Sequence, residues 1–341
     1  MAKAGKTEEQ PAVLMPVAPG PHIGTGRTTR RVMIDVLLGL VPVFAAACWV
    51  FGWYALMQVG ICVASCLAAE ALFTAMRRRP VSLGDFSAVV TGVILGLSMP
   101  WRCPVHVDVV ASFVAIGVGK VIFGGLGHNI FNPAMVGRAF VTIAFPALLG
   151  AGGYLYTGSG TPPTDVVTAA TPMTVAKHLA AGKAGQVAGL WPLFLGNVNG
   201  SLGETSALAC LVGGLYLCIR RTAAWQIPLG AVLAVAVIAG VGNLLHPQAQ
   251  WTVLHHLLGG ALLYGAFFIA TDPVTSPLTP RGKFIFGAGM GALVMVIRTY
   301  SGYPEGVQFS VLLMNATVPL LNRWTVPRPV GGPVPAPKAQ A

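Results

Sequence analysis

Long apolar stretches separated by short polar ones dominate this chain from residue 33 onward. A helix needs about 20 apolar residues to span a bilayer. Several stretches fall short of that length, so we expect tilted or interrupted helices among them. The pattern predicts an all-α, polytopic membrane protein with about ten transmembrane helices. The predicted segments are Met33–Phe51, Tyr54–Met76, Phe86–Pro100, Val107–Phe123, Val136–Gly150, Ser206–Ile219, Ile227–Leu245, Val253–Ala270, Phe284–Ile297 and Val307–Leu321.

The composition points to the lipid bilayer in the same way. Of the 341 residues, 55% are hydrophobic and only 9% are charged, and the mean hydropathy is +0.72. Soluble domains average about 25% charged residues, so an ordinary soluble protein is excluded. The net charge of +11 is interpreted as basic membrane loops, because Lys and Arg accumulate on the cytoplasmic side. We therefore predict no nucleic-acid partner.

The distribution of positive charge predicts the orientation of the chain. If the N-terminus is cytoplasmic, most basic residues fall in cytoplasmic loops, as the positive-inside rule requires. The cytoplasmic set is Arg27, Arg30, Arg31, Arg77, Arg78, Arg79, Arg138, Arg220, Arg221, Arg281, Lys283, Arg323 and Arg328. The outer set is Arg102, Lys177, Lys183 and Arg298. Both termini are therefore predicted to be cytoplasmic.

This topology divides the chain into five parts. Residues 1–26 are polar and proline-rich and predict a disordered cytoplasmic tail, and residues 325–341 predict a second one. The transmembrane halves are residues 27–150 and 206–324, joined by an outer-face loop at residues 151–205. Ser201-Leu202-Gly203-Glu204 has the form of a capping box and predicts the start of the sixth helix. That helix end would attract a phosphate, or would be an ordinary cap.

The six cysteines do not form a metal-binding pattern. They lack a Cys-x-x-Cys pair, and five of them fall inside apolar segments. Buried cysteines commonly behave as small hydrophobic residues, so we predict neither a metal site nor an iron–sulfur cluster. The cysteines are Cys48, Cys62, Cys66, Cys103, Cys210 and Cys218.

The outer-face loop carries a motif, Asp165-Val166-Val167-Thr168-Ala169-Ala170-Thr171. It resembles the acceptor site of proteins that carry FMN as a phosphoester on threonine, attached by a dedicated flavin transferase. Many such sites have Ser-Gly-Ala-Thr where this chain has Thr168-Ala169-Ala170-Thr171, which is a mild departure. Four flanking stretches resemble the family that unites the Rnf D subunits with the B subunits of the Na+-translocating quinone reductases. They are Gly124–Arg138, Gly200–Ser206, Thr271-Asp272-Pro273 and Tyr303-Pro304-Glu305-Gly306.

The resemblance implies two flavin sites. Thr171 would carry the covalent FMN, Asp165 and Thr168 would shape the turn, and Ser201 and Glu204 would lie near the phosphate. A non-covalent riboflavin is implied near the cytoplasmic face, where Asn129 and Asn132 would hydrogen-bond its polar edge and Asp272 would lie on the matching turn. Capping by the two asparagines and by Asp272 is the alternative interpretation.

The family also implies a function and partners. The chain would be part of a redox-driven ion pump in the bacterial inner membrane. It would pass electrons between flavins at opposite faces and couple ferredoxin–NAD electron transfer to Na+ or H+ translocation. Other Rnf subunits would supply a second covalent FMN and the iron–sulfur clusters. The implied fold has two inverted five-helix halves similar to ammonium and urea transporters. The alternatives are the B subunit of the quinone reductase and a cofactor-free channel or transporter.

Acidic residues within apolar segments are costly and are therefore candidates for an ion path. Glu70, Asp85 and Glu305 are the candidates here. Glu70 has an equally good structural interpretation, as a partner of Arg77 or of another helix. Asp35 and Asp108 lie at predicted helix ends and are expected to be solvated or paired.

Overall fold

The computed structural model of this chain describes residues 28–78, 83–101, 103–149, 171–180, 187–245, 251–301, 303 and 305–327. Within these ranges the chain consists of helices and turns, and Pro100 pairs with Ser201 through an isolated antiparallel bridge. The all-α prediction is confirmed for these residues. The predicted tail 1–26, and residues 328–341 of the other tail, lie outside the described ranges.

Among its described residues, the N-terminal part contains six α-helices. They are α1 (Thr29–Phe51), α2 (Trp53–Met76), α3 (Ser87–Ser98), α4 (Val105–Ile116), α5 (Pro133–Ala144) and the short α6 (Pro146–Leu149). Helix α4 continues as a π-helical turn, Gly117–Val121. Helix α5 begins where Asn132 accepts a hydrogen bond from the Met135 amide, with a proline at the first helical position. This is the preferred chemistry of a helix start.

The C-terminal part contains eight α-helices in the ranges that the structure describes, several of them short. They are α7 (Pro172–Ala180), α8 (Leu190–Leu195), α9 (Ala207–Ile219), α10 (Gln226–Leu245), α11 (Val253–Leu258), α12 (Leu262–Tyr264), α13 (Pro280–Tyr300) and α14 (Val307–Thr325). A second π-helical turn, Gly265–Ile269, follows α12. The predicted segment Val253–Ala270 is therefore not one helix. It breaks at Gly259-Gly260, where Gly260 adopts a φ of 71° that glycine tolerates best.

Each predicted apolar segment coincides with a helix or with a broken helix of this structure. Four helices of the described part are long and apolar enough to cross a membrane, namely α1, α2, α10 and α13. The count of ten transmembrane helices and the likeness to ammonium and urea transporters stay predictions. The predicted start of the sixth helix is wrong, because Ser206 rather than Ser201 caps α9 by accepting from the Ala209 amide.

Two helix pairs approach at glycine. Helices α1 and α9 meet where a β-carbon on Gly213 would collide with the carbonyl oxygen of Gly39. Helices α10 and α13 meet where a β-carbon on Gly230 would lie 2.5 Å from the carbonyl oxygen of Phe284. Small residues let helix backbones approach closely in membranes, where packing drives helix association. The α1–α9 contact joins the N-terminal and C-terminal halves directly.

A side chain of α14 supports two non-helical segments. Asn315 accepts a hydrogen bond from the Asn132 amide at 3.1 Å and donates to the Thr275 carbonyl at 2.9 Å. Irregular backbone within a membrane is tolerated only where its polar groups are satisfied inside the protein. Asn315 is buried and was not singled out from the sequence. It holds the polar loops at one end of the bundle in place.

Candidate functional sites

Thr171 lies at the start of α7 and caps it. Its hydroxyl accepts a hydrogen bond from the Thr174 amide at 3.2 Å and lies 2.9 Å from the Thr174 hydroxyl. Threonine followed by Pro172 is a favoured helix start. The helix N-terminus beside the predicted flavin acceptor is thus that of α7, which differs from the predicted helix start at Ser201. Free amide groups and the helix dipole favour an anion there.

A cavity of about 270 Å³ adjoins Thr171 and is also lined by Glu204, Glu305 and Gly260. Three residues predicted from distant stretches of sequence are therefore brought together. The Oε1 atom of Glu204 accepts from the Ser201 amide at 2.6 Å. The Oε2 atoms of Glu204 and Glu305 are buried without a hydrogen-bond partner in the described residues. The cavity therefore presents two partly unsatisfied carboxylates beside the Thr171 hydroxyl.

Arg298 organises the other side of this cavity. Its guanidinium donates to Glu305 Oε1 at 3.0 Å, to the His256 carbonyl at 2.6 Å and to the Gly259 carbonyl at 2.9 Å. Gly260 leaves room for this arrangement, because a β-carbon there would collide with the Glu305 carboxylate. Burial raises the pKa of Glu305 above its ordinary value, although the nearby Arg298 opposes this effect.

Lys177 and Arg138 add positive charge near the same cavity. Lys177, on α7, donates to the carbonyls of Ser301 and Tyr303, and burial lowers the pKa of its ammonium group. Arg138 is only 6% exposed and donates to the Ser201 hydroxyl at 3.2 Å. Arg138 lies buried within α5, inside the predicted segment Val136–Gly150, and its assignment to the cytoplasmic side stays a prediction.

Two residues of the predicted acceptor motif, Asp165 and Thr168, lie outside the described residues. The acceptor motif is therefore described only at its last residue, Thr171, and its turn stays a prediction.

A larger cavity, of about 720 Å³, lies toward the other end of the bundle. Helices α1, α3, α5 and α9 line it. Residues of both π-helical turns, and of the segments that follow these turns, complete the lining. Asn129, Asn132 and Asp272 all line it, as the predicted second flavin site requires. We refer to it as the cytoplasmic-end cavity, because the predicted topology places it there.

The three predicted polar residues of this cavity differ in how far the structure already uses their hydrogen-bonding groups. Asn132 caps α5 and donates to the Ile269 carbonyl at 3.2 Å. Asp272 accepts from the Val274 amide and the Thr275 hydroxyl, each at 3.1 Å. The capping interpretation is therefore confirmed for both. Asn129 is different, because its Oδ1 atom is buried without a hydrogen-bond partner in the described residues.

A buried ion pair adjoins this cavity. Lys120, in the first π-helical turn, donates to Glu70 Oε1 and to the Ser87 hydroxyl, each at 2.6 Å. The Ser87 hydroxyl in turn donates to Asp85 Oδ1 at 2.6 Å. The interpretation of Glu70 as a partner of another helix is thereby confirmed, and Asp85 also accepts from the Ser87 amide at the start of α3. Lys120 was missed, although a lysine inside an apolar segment is itself a signal.

The remaining two acids behave differently from each other. Asp35 accepts from Arg220 and from the Thr222 hydroxyl, each at 3.1 Å, so the prediction that it is paired is confirmed. Asp108 is 1% exposed and lies beside the Cys62 and Cys103 thiols, so it is not solvated. Asp108 lies within the first turn of α4, and it is more deeply buried than a residue at a helix end is expected to be.

Known relatives cover nearly the whole chain. The chain is 41% identical over 317 residues to the D subunit of the Na(+)-translocating ferredoxin:NAD(+) oxidoreductase complex of Acetobacterium woodii, covering 92% of this chain and 95% of that protein. It is 42% identical over 324 residues to the D subunit of the ion-translocating oxidoreductase complex of Stutzerimonas stutzeri, covering 88% and 92%. The corresponding protein of Escherichia fergusonii is 37% identical over 344 residues, covering 92% and 98%.

A family-level comparison agrees with these relatives. The sequence model of the NQR2, RnfD, RnfE family matches residues 16–331, which include both cavities and the whole helical bundle. The chain therefore belongs to the NQR2, RnfD, RnfE family.

Proposed function

We propose that this chain is the membrane flavoprotein subunit of a redox-driven ion pump, of the kind its relatives are named for. The observation that carries the proposal is the position of Thr171, whose hydroxyl caps α7 beside a cavity shared with Glu204 and Glu305. The chain would act as part of an enzyme complex that couples ferredoxin–NAD electron transfer to Na+ or H+ movement across the bacterial inner membrane.

The residues around Thr171 fit the phosphate of a covalently attached FMN. The α7 amides favour an anion, and Lys177 and Arg298 lie nearby as cations. The carboxylates of Glu204 and Glu305 oppose this attraction. Flavin supplies electron-transfer chemistry when bound, while the protein supplies its position and electrostatic surroundings.

The cytoplasmic-end cavity fits a second, non-covalent flavin such as riboflavin. Asn129 lines it, and its free Oδ1 acceptor can take a hydrogen bond from a ring N–H. Burial raises the pKa of Asp272, opposed by its hydrogen bonds from Val274 and Thr275, so Asp272 is better suited to shaping the turn than to holding the ligand.

We assign the remaining cofactors to partner proteins of the complex. The six cysteines of this chain are unpaired, and the proposed complex would draw its iron–sulfur clusters and second covalent FMN from other Rnf subunits. A flavin transferase would act during maturation, and the lipid bilayer would surround the apolar helices. Glu70, Asp85 and Glu305 stay candidates for the ion path.

Mass spectrometry of the purified full chain tests the proposal. The chain is expressed with a flavin transferase, as wild type, Thr171→Ala and Thr174→Val. We expect the mass increase of esterified FMN in wild type and in Thr174→Val, which keeps the amide that Thr171 caps. Thr171→Ala should lack the increase and lose in-gel flavin fluorescence. An unmodified wild-type chain would contradict the proposal and favour a cofactor-free transporter.

The main alternative is the B subunit of a Na+-translocating NADH–quinone reductase, which belongs to the same family. The relatives from Acetobacterium woodii, Stutzerimonas stutzeri and Escherichia fergusonii are all named as D subunits of ion-translocating oxidoreductase complexes, and this favours the first assignment. The proteins that co-purify with the chain distinguish the two complexes.

A further inference from the structure

We propose that Lys120 is the cationic hydrogen-bond donor that binds the ring of the flavin in the cytoplasmic-end cavity and raises its reduction potential. The inference rests on the proposed function, because it needs a flavin in that cavity. It adds a residue that neither the motif nor the family resemblance brought forward.

Lys120 lies between two cavities. Its side chain lines the cytoplasmic-end cavity and also a neighbouring polar cavity of about 900 Å³. Lys120 is 2% exposed, so its ammonium group has lost almost all of its hydration. A desolvated cation interacts more strongly with nearby groups than an exposed one. A ligand in the cytoplasmic-end cavity would therefore meet a strong, fixed positive charge.

The ammonium group of Lys120 can donate more hydrogen bonds than its two observed partners accept. A lysine has three N–H donors, and Glu70 and Ser87 account for two of them. Nothing in the described residues accepts a third hydrogen bond from Lys120. Because the side chain lines the cytoplasmic-end cavity, a ligand carbonyl or ring nitrogen there can accept the remaining bond.

Asn129 supplies a hydrogen-bond acceptor on the same cavity. Asn129 donates to the Phe131 carbonyl at 3.3 Å, which fixes its amide orientation and leaves Oδ1 as a buried acceptor. The cavity thus offers one cationic donor and one neutral acceptor among mainly apolar walls. A flat ring that alternates carbonyl and N–H groups along one edge, as the flavin ring does, satisfies both.

Glu70 and Ser87 act as positioning residues for Lys120. Glu70 comes from α2 and Ser87 from α3, so the ammonium group is held by two helices besides its own. The other charged groups around the two cavities are Arg77, Asp85 and Asp272. Arg77 donates to the Val121 carbonyl, and Asp85 accepts from Ser87, so both are already engaged.

Riboflavin titration of the full chain in detergent tests this role. A Thr171→Ala parent removes the covalent flavin, so that quenching of riboflavin fluorescence reports only the non-covalent site. The test variant is Glu70→Gln/Lys120→Met, because Lys120→Met alone would deprive the buried Glu70 carboxylate of its Lys120 counter-charge. We expect riboflavin affinity to fall roughly ten- to hundred-fold, which is the range for a lost charged hydrogen bond.

A second readout is the midpoint potential of bound riboflavin, measured by reductive titration against a reference dye. The potential should be lower in the test variant, because a nearby cation favours the electron-rich reduced ring. Thr91→Val is the matched control. Thr91 lines the same cavity, but its hydroxyl already donates to the Ser87 carbonyl at 2.9 Å. Glu70→Gln keeps Lys120 and is the reference for the midpoint potential, so that the comparison with the test variant isolates the charge of Lys120.

The outcomes separate the inference from the proposed function. A parent chain that binds no riboflavin overturns both the riboflavin site in this cavity and the role of Lys120, while the covalent FMN on Thr171 is judged separately by the mass measurement. A parent that binds, with the test variant equal to it in affinity and midpoint potential, overturns only the role of Lys120. If the test variant does not fold, Glu70→Gln/Lys120→Gln replaces it, since two neutral amides can still hydrogen-bond to each other. An unchanged midpoint potential in that variant overturns the role as well.

Discussion

Replacing Arg298 by alanine is the most revealing perturbation of the Thr171 side of the bundle. The side chain of Arg298 is 2% exposed and that of its partner Glu305 is 13% exposed. Removing one partner of a buried ion pair typically costs about 3–5 kcal/mol, because the other charge is left uncompensated. The carbonyls of His256 and Gly259 would lose their donor too. We expect a destabilisation at least within that range.

Thermal unfolding of the detergent-solubilised chain measures the effect. A loss of this size corresponds to a fall in Tm of roughly 4–7 °C for a protein of this length. Arg298→Lys should give an intermediate fall, because an ammonium group keeps the charge but loses the planar fork that reaches three acceptors. Arg323→Ala is the matched control on exposed α14 surface and should change stability by less than about 0.5 kcal/mol.

The effect should depend on pH in a defined direction. Burial raises the pKa of Glu305 and Arg298 opposes the rise, so removing Arg298 raises the pKa further. The folded variant then keeps a proton that the unfolded chain releases above the ordinary value of 4.5. Its stability therefore decreases as pH rises from that value through the raised pKa. The Tm gap between wild type and Arg298→Ala should be wider at pH 8 than at pH 5.

Two results would refute this reasoning. One is an Arg298→Ala chain that is as stable as Arg323→Ala, which would mean that the ion pair contributes nothing. The other is a Tm gap that is equal or narrower at pH 8, which would mean that Glu305 is not the uncompensated group.

Two further predictions concern helix packing and ion coupling. Gly230→Ala should destabilise the chain, because its β-carbon would press on Phe284. Gly240→Ala in the same helix is the control, because its β-carbon meets nothing within 4 Å. In thermal unfolding, Gly240→Ala should leave the stability unchanged or raise it by up to about 1 kcal/mol. In the reconstituted complex, the number of ions moved per electron should fall when Glu70, Asp85 or Glu305 is replaced by alanine, and an unchanged ratio removes that residue from the ion path.

The apolar segments were predictable because burial in lipid imposes a strong and continuous signal on the sequence. The same signal hid the most informative residue. One lysine in an apolar window barely changes its average hydropathy, so Lys120 passed as part of a spanning helix. The rule that places arginines in the cytoplasm assigned Arg138 to the cytoplasmic side and could not anticipate its hydrogen bond to Ser201 within the bundle.

The candidate sites were predictable only as separate pieces. The motif ending at Thr171 and the acid at Glu305 could be named from the sequence, but their shared cavity depends on tertiary packing. The break at Gly259-Gly260 is a further case, since two glycines in an apolar run fit a weak helix as well as a turn. Hydrogen bonds from Arg298 to the carbonyls of His256 and Gly259 stabilise the turn here.

The close contact between α1 and α9 has a consequence for how this chain can change shape. Because Gly213 lies directly against the Gly39 carbonyl, no compressible side chain separates the two helices at that point. Sliding one helix along the other would drive larger neighbours into the same gap. Rotation about the contact leaves the gap intact, so the crossing acts as a pivot. A motion about such a pivot that widens one end of the bundle would narrow the other, and would link the Thr171 cavity mechanically to the cytoplasmic-end cavity.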